Sequence, residues 1–108
     1  MVLLLLTLNI SCDKKTDVEA PLSPLASNGR ATYLSNCIAC HNPDPRQAGS
    51  VGPDIAFSSL ELIEARVTKA QYPTGYKPKR ESHMMPPFPQ LAKEVPAIHA
   101  YLNSFKRN

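Results

Sequence analysis

Cys37-Ile38-Ala39-Cys40-His41 is the stretch that decides how this 108-residue chain folds. Residues three positions apart on a helix lie on the same face, about one turn from each other. Two thiols with this spacing can each add across one of the two vinyl groups of a haem, and the histidine that follows can then ligate the iron. CxxCH is the attachment pattern of c-type haem for this reason. The motif predicts one covalently attached haem, bound by Cys37 and Cys40, with His41 as an axial ligand of the iron.

Other chemistries also use cysteines at this spacing. A thioredoxin-like redox pair needs a preceding strand in a βαβ unit, and the sequence around Cys37 indicates neither. A structural zinc site needs four ligands, whereas Cys37, Cys40 and His41 supply three and the chain has no second CxxC. A chance cluster in a helix is the third alternative. The pattern favours the haem over all of these.

Size and composition predict a small helical domain built around a cofactor. A chain of 108 residues forms one small domain at most, and such a domain usually needs a metal, a disulfide or a cofactor to stabilise its modest core. The absence of Trp leaves few aromatic residues to fill that core, and eleven Pro with four Gly indicate short helices joined by loops. The formal net charge of +3, without a dense Lys/Arg tract, argues against a nucleic-acid partner.

The N-terminal sequence predicts export. Met1–Ile10 is an apolar run too short to span a membrane, and it fits the apolar core of a signal peptide. It ends in Ile-Ser-Cys, which resembles the bacterial lipoprotein signal, in which the cysteine, here Cys12, is lipidated and becomes the mature N-terminus. Two features depart from that pattern: Asn9 replaces the expected leucine, and no Lys or Arg precedes the run. An incidental thiol in a cleaved tail is the alternative for Cys12.

Capping and periodicity predict three helices. Ser27 is the expected N-cap of a helix over residues 28–39, and Ser58 with Glu61 forms a capping box that opens a second helix. Pro96 is tolerated in the first turn of a last helix, and no alternating apolar run predicts a strand. The apolar face of the second helix comprises Leu60, Ile63 and Val67, and that of the last helix comprises Ile98, Tyr101, Leu102 and Phe105.

The stretch from Asn28 to Phe105 resembles the class I, monohaem cytochromes c of bacteria. The matching motifs around CxxCH are, in order, Gly29 with Tyr33, Gly52-Pro53-Asp54-Ile55, Met85-Pro86-Pro87-Phe88 and Ala97 to Leu102. The resemblance implies an all-α, small cytochrome c fold, with three to four short helices around one covalently bound haem c. It also implies that the Pro53 carbonyl accepts a hydrogen bond from Nδ1–H of His41. Gly29 has two interpretations: it is only a helix-start residue, or, because glycine is disfavoured inside helices, it marks a close approach of the crossing last helix.

The second axial ligand of the iron is expected between residues 83 and 85. The ligand in similar sequences is the residue directly before a proline, which selects Met85, and the proline would stiffen the loop. Met84 is the alternative, and His83 or an open position remain further ones. Ligation by His41 and a methionine favours the reduced iron, because thioether is a soft ligand, and it leaves no open site for a substrate.

The resemblance and the N-terminal signal together predict the organisation of the chain and its compartment. Residues 1–11 are the expected lipoprotein-like signal peptide, 12–26 a flexible tether and 27–108 the cytochrome c domain. Haem is attached to cytochromes c outside the cytoplasm. We therefore expect the protein in the bacterial periplasm or cell envelope, with a lipid on Cys12 as its membrane anchor.

The expected function is transfer of single electrons between redox proteins, and not enzymatic catalysis. Lys69, Lys77, Lys79 and Arg80 lie in a stretch without acidic residues. They form either a solvated loop or a basic collar that steers the protein toward an acidic patch on a redox partner. A haem c subunit of a larger oxidoreductase complex is an alternative function. A haem-based enzyme or gas sensor with an open iron position is a third.

Overall fold

Three α-helices and one 3₁₀ helix are the regular structure of residues 21–107, the part of the chain that a computed structural model describes. These elements are α1 (Pro24–Asn36), α2 (Leu60–Lys69), the 3₁₀ helix (Pro89–Glu94) and α3 (Val95–Leu102). No strand occurs in residues 21–107, so the prediction of an all-α domain is confirmed there. The predicted signal peptide and Cys12 lie outside the described residues.

Helix α1 begins and ends earlier than predicted. Its N-cap is Ser23, whose Oγ accepts a hydrogen bond from the N–H of Ala26 at 3.1 Å, so the prediction of Ser27 as the cap is wrong. Pro24 follows the cap directly, and its restricted backbone is suited to the first helical position. The helix thus starts inside the stretch 12–26 assigned to the tether, and Ala26 is buried. It ends at Asn36, directly before CxxCH and not at residue 39.

Helices α1 and α3 pack against each other through Gly29. A Cβ atom on Gly29 would lie 1.9 Å from the carbonyl oxygen of Ala97, so only a glycine allows the two backbones to approach this closely. The close approach predicted for Gly29 is confirmed. Pro96 lies in the first turn of α3, as predicted. The buried residues around this contact form one apolar cluster that comprises Tyr33, Ile63, Val67, Val95, Ile98, Tyr101 and Leu102.

The N-cap of helix α2 lies one residue later in the chain than predicted. Ser59 is the N-cap and accepts a hydrogen bond from the N–H of Leu62, whereas the Ser58 hydroxyl donates to the carbonyl of Ile55. The expected capping box of Ser58 and Glu61 therefore does not form. The predicted apolar face is only partly buried: Ile63 and Val67 belong to the core, but Leu60, at the first helical position, is 45% exposed.

The end of α3 holds the loop that precedes α2. The N–H of Phe57 donates to the carbonyl of Leu102 at 2.9 Å, and Nδ2 of Asn103 donates to the carbonyl of Ser58 at 2.9 Å. Phe105 lies beyond the end of α3, half-buried and edge-on to Tyr101. None of the helices found between residues 21 and 107 is long and apolar enough to cross a membrane.

Candidate functional site

A cleft in this domain brings the predicted site residues together. It borders about 1110 Å³ of space not filled by protein atoms, including open solvent at its mouth. All three α-helices contribute apolar side chains to its walls, including Tyr33, Leu62, Ile63, Val67, Ile98 and Leu102. The five residues proposed from the sequence for the cofactor, Cys37, Cys40, His41, Pro53 and Met85, also line it.

The CxxCH motif forms a turn that continues directly from α1. The N–H of Cys37 donates to the Tyr33 carbonyl at 2.9 Å, and the N–H of His41 donates to the Cys37 carbonyl at 2.9 Å. The Tyr33 hydroxyl donates to the carbonyl of Asn42, which fastens the chain just after His41. The turn thus places both thiols and the imidazole in the cleft.

The environment of Cys37 differs from that of a reactive redox cysteine. Cys37 and Cys40 are half-buried and are not joined by a disulfide. Burial, with a smaller effect from Cys40, raises the pKa of the Cys37 thiol to about 11. Cysteines of catalytic redox pairs have a lowered pKa, because the thiolate is the nucleophile. The raised pKa of Cys37 and the helix before it both disfavour a thioredoxin-like pair.

His41 is oriented by the loop that contains Pro53. Nδ1 of His41 lies 2.9 Å from the carbonyl oxygen of Pro53, which is the contact that the family resemblance implies. A carbonyl oxygen only accepts, so Nδ1 carries the proton, and in the neutral ring Nε2 keeps its lone pair. Histidines that ligate metals are commonly held in this way through their other ring nitrogen.

Gly52 is a site residue that sequence reasoning missed. A Cβ atom there would lie 2.4 Å from Cε1 and 2.5 Å from Nδ1 of the His41 ring. The N–H of Gly52 also donates to the carbonyl of Cys40 at 2.9 Å, and the N–H of Gly49 donates to the carbonyl of Gly52 at 2.9 Å. The glycine thus lets the loop lie directly against the imidazole. Its position before Pro53, in a motif already singled out, was the available signal.

The three candidates for the second axial ligand have different environments. Met85 is half-buried, packs against the apolar cluster and lines the cleft. Met84 is 70% exposed, and His83 is also exposed. Downstream, the N–H of Phe88 donates to the carbonyl of Val67 at 2.6 Å, which ties this segment to α2. Met85 is therefore the one of the three that the cleft contains.

Two cations of the predicted basic collar have partners within the domain. Nζ of Lys79 lies 2.9 Å from both the backbone oxygen and a carboxylate oxygen of Asp54. This hydrogen bond holds the pKa of the Asp54 carboxyl below its ordinary value. Arg80 donates to backbone carbonyls of the loop around Gly52. Lys69 and Lys77 are exposed and form no ion pair with another described residue.

An aromatic and cationic stack forms another part of the cleft wall. The Arg66 guanidinium lies 4.1 Å from the centre of the Tyr72 ring, and the Tyr72 and Tyr76 rings stack with their centres 5.5 Å apart. All three side chains line the cleft. Sequence reasoning missed them, because residues spread over a helix end and a loop follow no periodic pattern.

We expect Gly52→Ala to displace the His41 imidazole from the Pro53 carbonyl, because the added methyl group and the ring cannot occupy the same space. The stability of the domain should fall by about 1–3 kcal/mol, as for other overpacking substitutions. The ¹H and ¹⁵N chemical shifts of the ring measure the displacement. Gly75→Ala is the control: its φ of 81° adds strain, but its Cβ meets nothing within 4 Å. Unchanged His41 shifts in Gly52→Ala would contradict the prediction.

Comparisons of the chain with protein-family models, with curated proteins and with solved structures found no match. Among residues 21–107, no group of three or more His, Cys, Asp or Glu side chains is arranged to hold a metal ion. The cleft is characterised by its own residues: a pair of thiols, one oriented imidazole and one thioether on an apolar wall.

Proposed function

We propose that the chain is a monohaem c-type cytochrome that carries single electrons between redox partners at the bacterial cell envelope. The observation that carries the proposal is the meeting of three distant parts of the chain in one apolar cleft. Cys37, Cys40 and His41 come from the turn after α1, Pro53 from the following loop and Met85 from the segment before the 3₁₀ helix.

The residues of the cleft fit a haem in their chemistry. Cys37 and Cys40 would form the two thioether bonds, and Nε2 of His41 would ligate the iron, since Nδ1 is engaged by Pro53. The Met85 sulfur would be the second axial ligand. The apolar walls suit a large, flat and mostly apolar group, and they would keep water from it. A haem bound there supplies an iron that accepts and releases one electron.

Two protein ligands make electron transfer the favoured function. If both axial positions are filled by His41 and Met85, no position is open for a substrate or a gas. Met85 packs against the buried cluster, so its side chain is already placed beside the cleft. We therefore propose a cytochrome c fold and a role as an electron carrier, and not as an enzyme.

The N-terminal segment supports a location at the membrane surface. We propose that the chain is exported and that Cys12 carries a lipid. The segment from Cys12 to Ser23 has about a dozen residues and can reach at most about 40 Å. A tether of this length would let the domain move between redox partners close to the membrane.

Covalent haem is the first test of the proposal. We expect the whole chain, expressed with its export signal in a bacterium that matures c-type cytochromes, to carry one haem that stays attached under denaturing conditions. Mass spectrometry and haem-dependent peroxidase staining of a denaturing gel measure the attachment. The Cys37→Ala/Cys40→Ala variant should lose the haem, whereas the control Cys12→Ala should keep it wherever the chain is still exported. Parent protein without covalent haem would overturn the proposed function.

The second axial ligand can be tested by absorption spectroscopy. We expect Met85→Ala to lose the weak far-red absorption of ferric iron bound to thioether sulfur, because the half-buried Met85 lines the cleft. Met84→Ala is the matched control and should keep that absorption, since Met84 is exposed. The reverse result would assign the iron to Met84, and a parent protein without that absorption would exclude methionine ligation.

The docking of an acidic partner should depend on Lys69 and Lys77, the exposed cations of the predicted collar that form no ion pair with another described residue. We expect the rate of electron transfer to an acidic blue-copper protein to fall as ionic strength rises, because salt screens the attraction. Lys69→Gln/Lys77→Gln should lower the rate at low salt roughly severalfold and flatten its salt dependence. Lys93→Gln/Lys106→Gln removes the same charge elsewhere and is the control. A salt-independent rate in the parent would remove the steering hypothesis but not the haem.

A further inference from the structure

We infer that Arg80 is a positioning residue for the second axial ligand: its guanidinium ties the segment that carries Met85 to the loop that orients His41. The inference rests on the proposed function. Nη1 of Arg80 donates to the carbonyl of Val51 at 2.9 Å, and Nη1 and Nη2 lie 3.4 and 3.3 Å from the carbonyl oxygen of Gly49. Arg80 would therefore act inside the domain and not at the docking surface.

The loop that Arg80 binds is already fixed to the CxxCH turn. The carbonyl of Cys40 accepts hydrogen bonds from the N–H groups of Val51 and Gly52, at 3.3 and 2.9 Å. The next residue, Pro53, accepts from the His41 ring. The hydrogen bond from Arg80 to Val51 therefore connects Arg80 to the CxxCH turn and to His41, the residue that would bind the iron.

The segment that Arg80 would position has little structure of its own. Residues 80–88 contain no helix and no strand, and their internal hydrogen bonds are local. The N–H of Ser82 donates to the Arg80 carbonyl at 3.1 Å, and the N–H of Met84 lies 3.3 Å from the Ser82 hydroxyl. The N–H of Phe88 anchors the downstream end on α2. Met85 is thus held between two anchors, and Arg80 is the upstream one.

The chemistry of arginine suits this contact better than that of lysine. The planar guanidinium has several donors in a fixed fork and can serve two carbonyls at once, whereas an ammonium is a point charge on a flexible stem. Arg80 is half-buried, so its charged hydrogen bonds are partly shielded from water. The neighbouring Lys79–Asp54 pair also connects this segment to the loop around Gly52. Both side chains of the pair are 47% exposed, however, and exposed ion pairs contribute little to stability.

Loss of the upstream anchor should increase the fraction of molecules in which Met85 has left the iron. An external ligand for the same position binds only to those molecules, so its apparent affinity rises by the same factor as their fraction. The loss of a hydrogen bond from a charged group corresponds to an increase of about tenfold. Carbon monoxide, which binds ferrous haem, reports this fraction directly.

The experiment compares haem-loaded Arg80→Gln and Arg80→Lys with Lys77→Gln. Lys77 lies in the same segment and is exposed, and its replacement removes the same charge as Arg80→Gln. We measure the equilibrium affinity of the ferrous proteins for carbon monoxide. We also measure the guanidinium concentration at which the ferric proteins lose the far-red absorption, beside the concentration at which they lose helical circular dichroism.

Arg80→Gln is expected to bind carbon monoxide about tenfold more tightly than the parent and to lose the far-red absorption before its helices unfold. Arg80→Lys, which keeps the charge but not the fork, should show a smaller change in the same direction and serves as the test if Arg80→Gln does not accumulate. Lys77→Gln should match the parent.

Arg80 variants that match Lys77→Gln in both measurements would overturn the inference and leave the proposed function intact. Loss of the far-red absorption only together with the helices would also overturn it, because Arg80 would then stabilise the whole domain. A parent without covalent haem, or with haem but no far-red absorption, would overturn the proposed ligands and the inference with them.

Discussion

The contact between Gly29 and the backbone of Ala97 sets the distance between α1 and α3, and the walls of the cleft depend on that distance. Helix α1 leads directly into the CxxCH turn, so its position determines where the two thiols and the imidazole lie. Helix α3 contributes Leu102, whose side chain lines the cleft and whose carbonyl binds the N–H of Phe57. A side chain at position 29 would move these walls apart.

The parts of this structure that the sequence predicted are those governed by local rules. The contact between His41 and the Pro53 carbonyl follows from the family resemblance, and Gly29 follows from the cost of glycine inside a helix. The sequence also brought Met85 forward, and the structure places it at the cleft. The first residues of the helices were harder to predict, because nearby serines are, as residue types, equally suitable as the N-cap. Ser23 is followed by a proline that favours the first helical position, whereas Ser27 has no such neighbour. Ser59, not Ser58, caps α2 for no reason visible in the residue types.

The rest of the site could not be predicted, because it consists of contacts between residues far apart in the chain. Arg80 binds carbonyls about 30 residues earlier, and Lys79 binds Asp54, 25 residues earlier. The residue types around both cations are equally consistent with a solvated loop and with a basic docking surface. Backbone carbonyls are present at every position, so residue types alone do not identify which of them an arginine will meet. Only the tertiary structure shows whether a cation such as Arg80 is a surface charge or is hydrogen-bonded inside the domain.

In the proposed cytochrome, the difference between an internal anchor and a surface charge affects how rigidly a small domain can hold its electron-transfer site. One-electron transfer is favoured when the ligands of the metal move little between the two oxidation states. A larger protein can place both ligands on packed helices, but in this chain Met85 lies in a segment without helix or strand. Its position is set by the proline that follows it, by packing against the apolar cluster and by hydrogen bonds at either end of the segment. In the proposed cytochrome, two cations of one loop would therefore have different roles. Arg80 would hold the segment that carries Met85, and the exposed Lys77 would contact a redox partner.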